Sequence, residues 1–214
     1  MERDPYIDSF MKEHFEGNDL KKPLFYNSRI AIRFEMGADI EEPEARAAQV
    51  KQRAVALYDA LNQPGDDVLV VLFVDKWMDE PVDALEQEVT EAFNTYIDQG
   101  HMGPLDKKEQ EYRYKDPDDS DDVMTIRYAA RVKSRYLKSA DLMEAIANRT
   151  LGLEPTVDGD IYLVNTTNRT IFHLYDDRGL DMVAADRETL RPIYEQYTAW
   201  ILDYDRERID VIFN

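Results

Sequence analysis

The stretch DIYLVNTTNRTIFHLYDDRGLDMVA, residues 160–184, decides the fold. Three short runs rich in β-branched and aromatic residues, 160–165, 170–175 and 180–184, are separated by two turn-forming clusters. Strands joined this tightly are antiparallel, because a parallel pair needs a crossover of a dozen or more residues. The stretch therefore predicts a compact meander. In its second turn, Asp176 can bond the turn backbone and Gly179 can supply the positive φ of a bulged hairpin.

Working outward, the same patterns assign the rest of the chain. Asp186 caps a long helix downstream, with Leu190, Ile193, Tyr197, Trp200 and Ile201 facing inward and Trp200 expected to be largely buried. Asp205 is expected to cap a short terminal helix. Upstream, Ser139 is expected to cap a helix running to about Leu151. Residues 110–115 and 123–132 read as two strands joined by the charged tip Asp116–Asp122. Residues 68–74 form a continuous apolar run, the mark of a central strand covered on both faces. Residues 29–36 alternate strictly, with Ile30, Ile32, Phe34 and Met36 inward and Arg29, Arg33 and Glu35 outward. Three more helices are expected: one opened by Asp4 and Pro5, one from Pro43 to about Asn62, and one from Pro81 to about Gln99. Together these elements predict an α+β fold, a mixed, mainly antiparallel sheet with helices packed on it. One domain over residues 1–214 is expected; if it divides, the break falls between 1–105 and 106–214, where composition and element type change.

The chain has 45 acidic and 26 basic residues, a formal charge of -19. With 43% hydrophobic residues and 13 Tyr it has the material for a folded core, so the acid excess decorates a folded body. Such a surface repels nucleic acid and anionic lipid and attracts basic partners. The absence of cysteine excludes disulfides, thiolate nucleophiles and Cys-type metal sites. No apolar run approaches the roughly 20 residues needed to span a bilayer. With the charged opening Met1–Pro5, this makes a cytoplasmic protein the expectation.

Between Trp77 and Asp106 lie eight carboxylates and no Lys or Arg. Asp83, Glu86, Glu91 and Asp98 are expected on the outer face of one helix, opposite Val82, Leu85, Val89, Phe93 and Tyr96. A charged helix face is ordinarily just solvated. Here the four-apart repulsions have no cation nearby in sequence, each costing a few tenths of a kcal/mol. That leaves open a second reading, in which the face waits for a basic partner.

Other groupings carry less chemistry. His173 with Asp176 or Asp177 could serve acid–base catalysis, but no second His or Cys lies near in sequence, and turn capping explains the acids. The Asp116–Asp122 loop lacks the glycine and the final glutamate of a calcium-binding EF-hand, because Asp121 and Arg127 stand there. Arg29 and Arg33 could grip an anion, though in so acidic a chain neutralising neighbouring carboxylates is the simpler reading. Phosphate loops, nucleophile elbows and HExxH are absent. No catalytic residue, metal or cofactor is expected.

The C-terminal third can be read as a whole: Ile161–Asn165, then Ile171–Gly179 with its Tyr-Asp-Asp-Arg-Gly turn, then Leu190–Tyr194, then Trp200–Asp205. This region, about 160–214, resembles an uncharacterised bacterial family, domain of unknown function 3885. The block Leu24–Glu35 is similar to what precedes that domain in longer members. The resemblance implies no catalytic residues. In general type, an acidic αβ protein of this kind is also similar to bacterial toxin-immunity proteins.

The expected function is an acidic protein-interaction module, in concrete form a toxin-neutralising or regulatory protein that covers a basic surface on a nuclease or similar enzyme. Its expected contact residues are Asp83, Glu86, Glu91 and Asp98 on the helix, and Tyr175, Asp176, Asp177 and Arg178 in the turn. The alternatives are a small hydrolase or nuclease using His173, and a nucleic-acid mimic. No direct nucleic-acid binding and no membrane contact are expected.

Overall fold

The computed structural model describes residues 6–116 and 122–214. The meander forms as β5 (Asp160–Asn165), β6 (Thr170–Leu174) and β7 (Gly179–Ala184). It is the middle of a seven-stranded sheet completed by β1 (Ala31–Glu35), β2 (Asp67–Trp77), β3 (Asp106–Glu111) and β4 (Val123–Lys133). The spatial order is β1-β7-β6-β5-β2-β4-β3. Every neighbouring pair is antiparallel, so the parallel element allowed for in a mixed sheet does not occur among the described residues. Strands from both halves of the chain contribute to it, with β2 of the N-terminal half set between β5 and β4.

The apolar run at 68–74 sits where its composition requires. β2 pairs with β5 on one side and β4 on the other, and residues Val68–Phe73 are all buried. Burying one such side chain contributes roughly 1.5–3 kcal/mol, so this strand is the principal apolar element of the core.

One sheet face carries α2 (Pro43–Leu61), α3 (Val82–Tyr96) and α4 (Ser139–Leu151). The α2 N-terminus is held by Glu42, whose carboxylate accepts from the Glu44 and Ala45 N–H groups, with Pro43 opening the first turn. Its stripe Val50, Ala54, Leu57, Tyr58 and Leu61 is buried, and Tyr58 packs edge-on against Phe172 of β6 at 5.6 Å. Gly152 closes α4 in the left-handed conformation that glycine adopts without penalty. The opposite face carries α1 (Tyr6–His14) and the irregular segment 15–28, from which Leu20, Leu24 and Phe25 are buried. Near the β1 edge, α5 (Arg187–Tyr197) leads through a short 3₁₀ turn to α6 (Asp203–Phe213), and Ile201 bridges to Phe34.

Several expectations are corrected. Ser139 does not cap α4; Lys138 occupies that position, and its side chain makes no capping bond. Asp205 lies inside the first turn of α6, buried, and accepts from the Tyr26 hydroxyl at 2.6 Å. Trp200 is only half-buried, because the helix breaks at Tyr197 and the indole rests on Tyr197 and beside Arg53 rather than in the core. Gly179 does not have positive φ; Arg169, in the β5–β6 turn, does, at 58°. Gly179 is needed for space instead, since a Cβ there would run into the Tyr175 hydroxyl and ring. The expected helix cap Asp4 and most of the Asp116–Asp122 tip, including Asp118 and Asp121, lie outside the described residues.

Candidate functional site

The acidic helix is shorter than its composition implies. α3 ends at Tyr96, because Ile97 turns away to bridge Leu137, which lies between β4 and α4. Asp98 therefore lies off the helix. Val89, Phe93 and Tyr96 bury the inner stripe as their spacing requires, and Asp83, Glu88 and Glu91 stand exposed.

The helix is not without cations, as its own sequence suggested. Lys107 of β3 pairs with Glu86 at 2.8 Å and with Glu109 at 3.1 Å. The Lys107 pKa is raised, chiefly by its hydrogen bond with Glu86. Lys138 donates to the Thr95 carbonyl at 3.0 Å, a cation at the negative end of the helix dipole. Lys76, one residue before the lysine-free window, is buried and donates to the Trp77 carbonyl at 2.8 Å. Asp83, Glu88 and Glu91 form no ion pair among the described residues. Glu91 accepts instead from Gln87 at 2.9 Å.

The second expected surface, Tyr175–Arg178, is mostly turned inward. The Tyr175 N–H donates to the Gly179 carbonyl at 3.3 Å, and the Asp176 carboxylate accepts from the Arg178 N–H at 2.8 Å and from its guanidinium. Asp177 reaches the helix layer, where it accepts from the Thr150 hydroxyl at 2.6 Å and from Arg46. Burial raises the Asp177 pKa, but the bonds from Thr150 and Arg46 outweigh it and hold the carboxyl below its ordinary value. Asp176 and Asp177 are buried, while the Arg178 side chain is exposed.

His173 is not grouped with these acids. Strand alternation sends it to the opposite sheet face from the contacts of Asp177, as expected for His173 and Tyr175 against Phe172 and Leu174. The imidazole is fully buried and stacks on Tyr162, with ring centroids 4.0 Å apart. Neither ring nitrogen has a hydrogen-bond partner among the described residues. Burial pushes its pKa down to about 3, helped by Lys22, Arg113 and Arg33 and opposed by Asp160. A neutral, enclosed imidazole of this kind has no geometry for shuttling protons with Asp176 or Asp177.

What surrounds His173 is a row of polar side chains lying across the sheet beneath segment 15–28. Asp181 stands opposite His173 on β7 and opposite Arg33 on β1. Arg33 binds it through two bonds, at 2.7 and 2.9 Å, and the Phe25 N–H adds a third at 2.9 Å. Burial works against the charge on Arg33, but its bonds and attraction to Asp181 outweigh that and raise its pKa. The guanidinium also lies over the rings of Phe25, Tyr26 and Tyr175 at 4.8–5.4 Å. At the other end, Arg113 sits 3.7 Å over Phe73, and Asp160 pairs with Lys22 at 2.7 Å. The neutralising role expected of the arginines thus holds for Arg33, while Arg29 only approaches Glu16 at 4.0 Å on the surface. Asp181, Asp160 and Arg113 escaped the sequence reading; the one available signal was a carboxylate set between Leu180 and Met182 in an otherwise apolar strand. Among the described residues there is no group of three His, Asp or Glu fit to hold a metal, and no helix is long and apolar enough to cross a membrane.

Comparison with known proteins finds a family and a relative of no assigned role. The family model described as Domain of unknown function (DUF3885) matches residues 7–205, well beyond the C-terminal third that carried the resemblance. Uncharacterized protein YnaE of Bacillus subtilis (strain 168) is 23% identical over 208 residues, covering 91% of this chain and 96% of that protein. No solved structure matches.

Proposed function

The chain belongs to the DUF3885 family, and we propose that it acts as an acidic protein-interaction module, of the toxin-neutralising or regulatory kind, that covers a basic surface on its partner. The observation that supports this is the outer face of α3, where Asp83, Glu88 and Glu91 are exposed and form no ion pair among the described residues. Among the described residues Lys107 and Lys138 serve other positions of the helix, so a basic partner can supply the counter-charge that the outer acids lack there. A surface of this type acts chiefly on association rate and salt dependence.

The test is affinity capture from native host lysate with wild type and with Asp83→Lys/Glu91→Lys, followed by association kinetics at two ionic strengths. Glu86 is left in place because Lys107 already neutralises it. Association with the captured protein should slow at least about tenfold in the double reversal, and its salt dependence should flatten. Equal rates for the two proteins would reduce the helix face to solvated surface.

A further inference from the structure

At the end of β2, Trp77 and Met78 are 55% and 61% exposed, and Val82, the first residue of α3, is 40% exposed. Tryptophan is highly buried on average, and apolar groups gathered at one exposed place mark contact sites. Fraying does not account for them. The Trp77 N–H donates to the Glu80 carboxylate at 3.0 Å, and the Glu80 N–H returns to the Trp77 carbonyl at 3.1 Å. The Met78 N–H donates to the Asp122 carbonyl at 2.8 Å, and buried Lys76 holds the Trp77 carbonyl from beneath. The turn is thus bonded on both sides while its apolar side chains face solvent. Asp79, Glu80 and Asp83 are exposed on the same segment.

An indole set among carboxylates suits one kind of visitor. An Arg or Lys head can stack on the indole face while neighbouring carboxylates meet its charge. An adjoining apolar side chain can pack on Met78, whose flexible thioether adapts to irregular shapes. We infer that Trp77–Asp83 is the anchor of a docking surface, and that its occupant is a basic segment of another protein in which Arg or Lys adjoins an apolar residue. This deepens, and rests on, the reading of the chain as an acidic interaction module. A second copy of the chain, with the same charge of -19, is repelled from the site, as are nucleic acid and anionic lipid.

Trp77 and Trp200 are the two tryptophans of the chain, so Trp200→Phe leaves Trp77 as the lone reporter. Two probes are titrated into that protein: a short peptide of alternating Arg and Leu, and an oligolysine of equal charge. The Arg–Leu peptide should shift Trp77 emission to shorter wavelength and bind more tightly than oligolysine. Replacing Trp77 by Ala, followed by calorimetry, should weaken the Arg–Leu peptide at least about tenfold, the effect of losing an interface anchor, and weaken oligolysine, which has no apolar side chain to pack there, distinctly less. Equal affinity for the two peptides, unchanged binding in Trp77→Ala, no binding of the Arg–Leu peptide, or an emission shift with protein concentration alone would each overturn the anchor. The Asp83→Lys/Glu91→Lys protein separates the two ideas. If it binds oligolysine as wild type does, the acidic-face reading fails, whatever the Trp77 result.

Discussion

His173→Phe should remove much of the protein's sensitivity to mild acid without unfolding it. The imidazole is fully enclosed, stacks on Tyr162 at 4.0 Å and lies 5.9 Å from Tyr175, so a phenyl ring can occupy the same place and keep the stacking. Because neither ring nitrogen has a hydrogen-bond partner among the described residues, the substitution orphans nothing. At neutral pH it should range from no change to about 1 kcal/mol of added stability, since an unbonded buried polar group is replaced by an apolar one.

The acid side has a definite sign. Burial depresses the folded-state pKa of His173 from 6.5 to about 3. A depressed histidine binds its proton more readily in the unfolded chain, so stability is full above pH 6.5 and is lost as pH falls through that value toward the folded pKa. Between pH 7 and about pH 4.5 the unfolded state gains nearly one proton that the folded state refuses, which amounts to about 2.5 kcal/mol at 1.36 kcal/mol per unit. Carboxylates titrate in the same window, but they do so in both proteins. Urea unfolding of wild type and His173→Phe at the two pH values isolates the difference, with Asp160, Lys22, Arg113 and Arg33 left in place. If both proteins lose the same stability on acidification, His173 is not the neutral buried group described above. A loss above about 2 kcal/mol at pH 7 would mean that its nitrogens make bonds that matter.

Two further outcomes follow from the same sheet. Arg33→Leu should cost about 3–5 kcal/mol by thermal or urea unfolding, because it strands the Asp181 carboxylate in the core; adding Asp181→Leu should recover most of it, less the cost of leaving the Phe25 N–H unbonded. No recovery in the double variant would mean that the pair contributes more than mutual neutralisation. Gly179→Ala should destabilise by about 1–3 kcal/mol, since the new methyl displaces Tyr175, and the loss should shrink when Tyr175 is also Ala; equal losses in the two backgrounds would place the strain in the backbone after all.

The meander was legible because its turns are short and their residue types are restrictive. Nothing between residues 160 and 184 leaves room for a crossover, and the strand bounds at 160–165 were recovered as read. The central strand was legible because seven consecutive apolar residues have no other comfortable place in an αβ protein. The site residues were harder. Alternation correctly put Arg33 opposite Ile32 and Phe34, but it says nothing about what lies over each face. Residues 15–28 cover that face, which is why Arg33 meets a buried Asp181 rather than water. No local pattern links residues 148 positions apart. Gly179 shows a related limit: glycine in a turn suggests φ, yet here it makes room for a ring four residues away.

The acidic helix illustrates how charge patterns mislead when read along one dimension. The window from Trp77 to Asp106 holds no cation, but a lysine stands immediately outside each end of it. Folding brings β2 and β3 to either side of β4, and Lys107 then reaches Glu86 across 21 positions of sequence. The repulsion that made the helix conspicuous is therefore met in part at Glu86, and at the C-terminal end by Lys138. What remains is narrower and more telling. Among the described residues, the helix acids without an ion pair are Asp83 at the start of the helix and Glu88 and Glu91 further along, and they follow directly on a bonded turn that exposes Trp77 and Met78. Charge alone would make that end of the molecule attractive to many basic proteins. An indole and a thioether held among the acids add contacts that only a partner of matching shape can use, so selectivity would come from Trp77 and Met78 and encounter rate from Asp83 and Glu91.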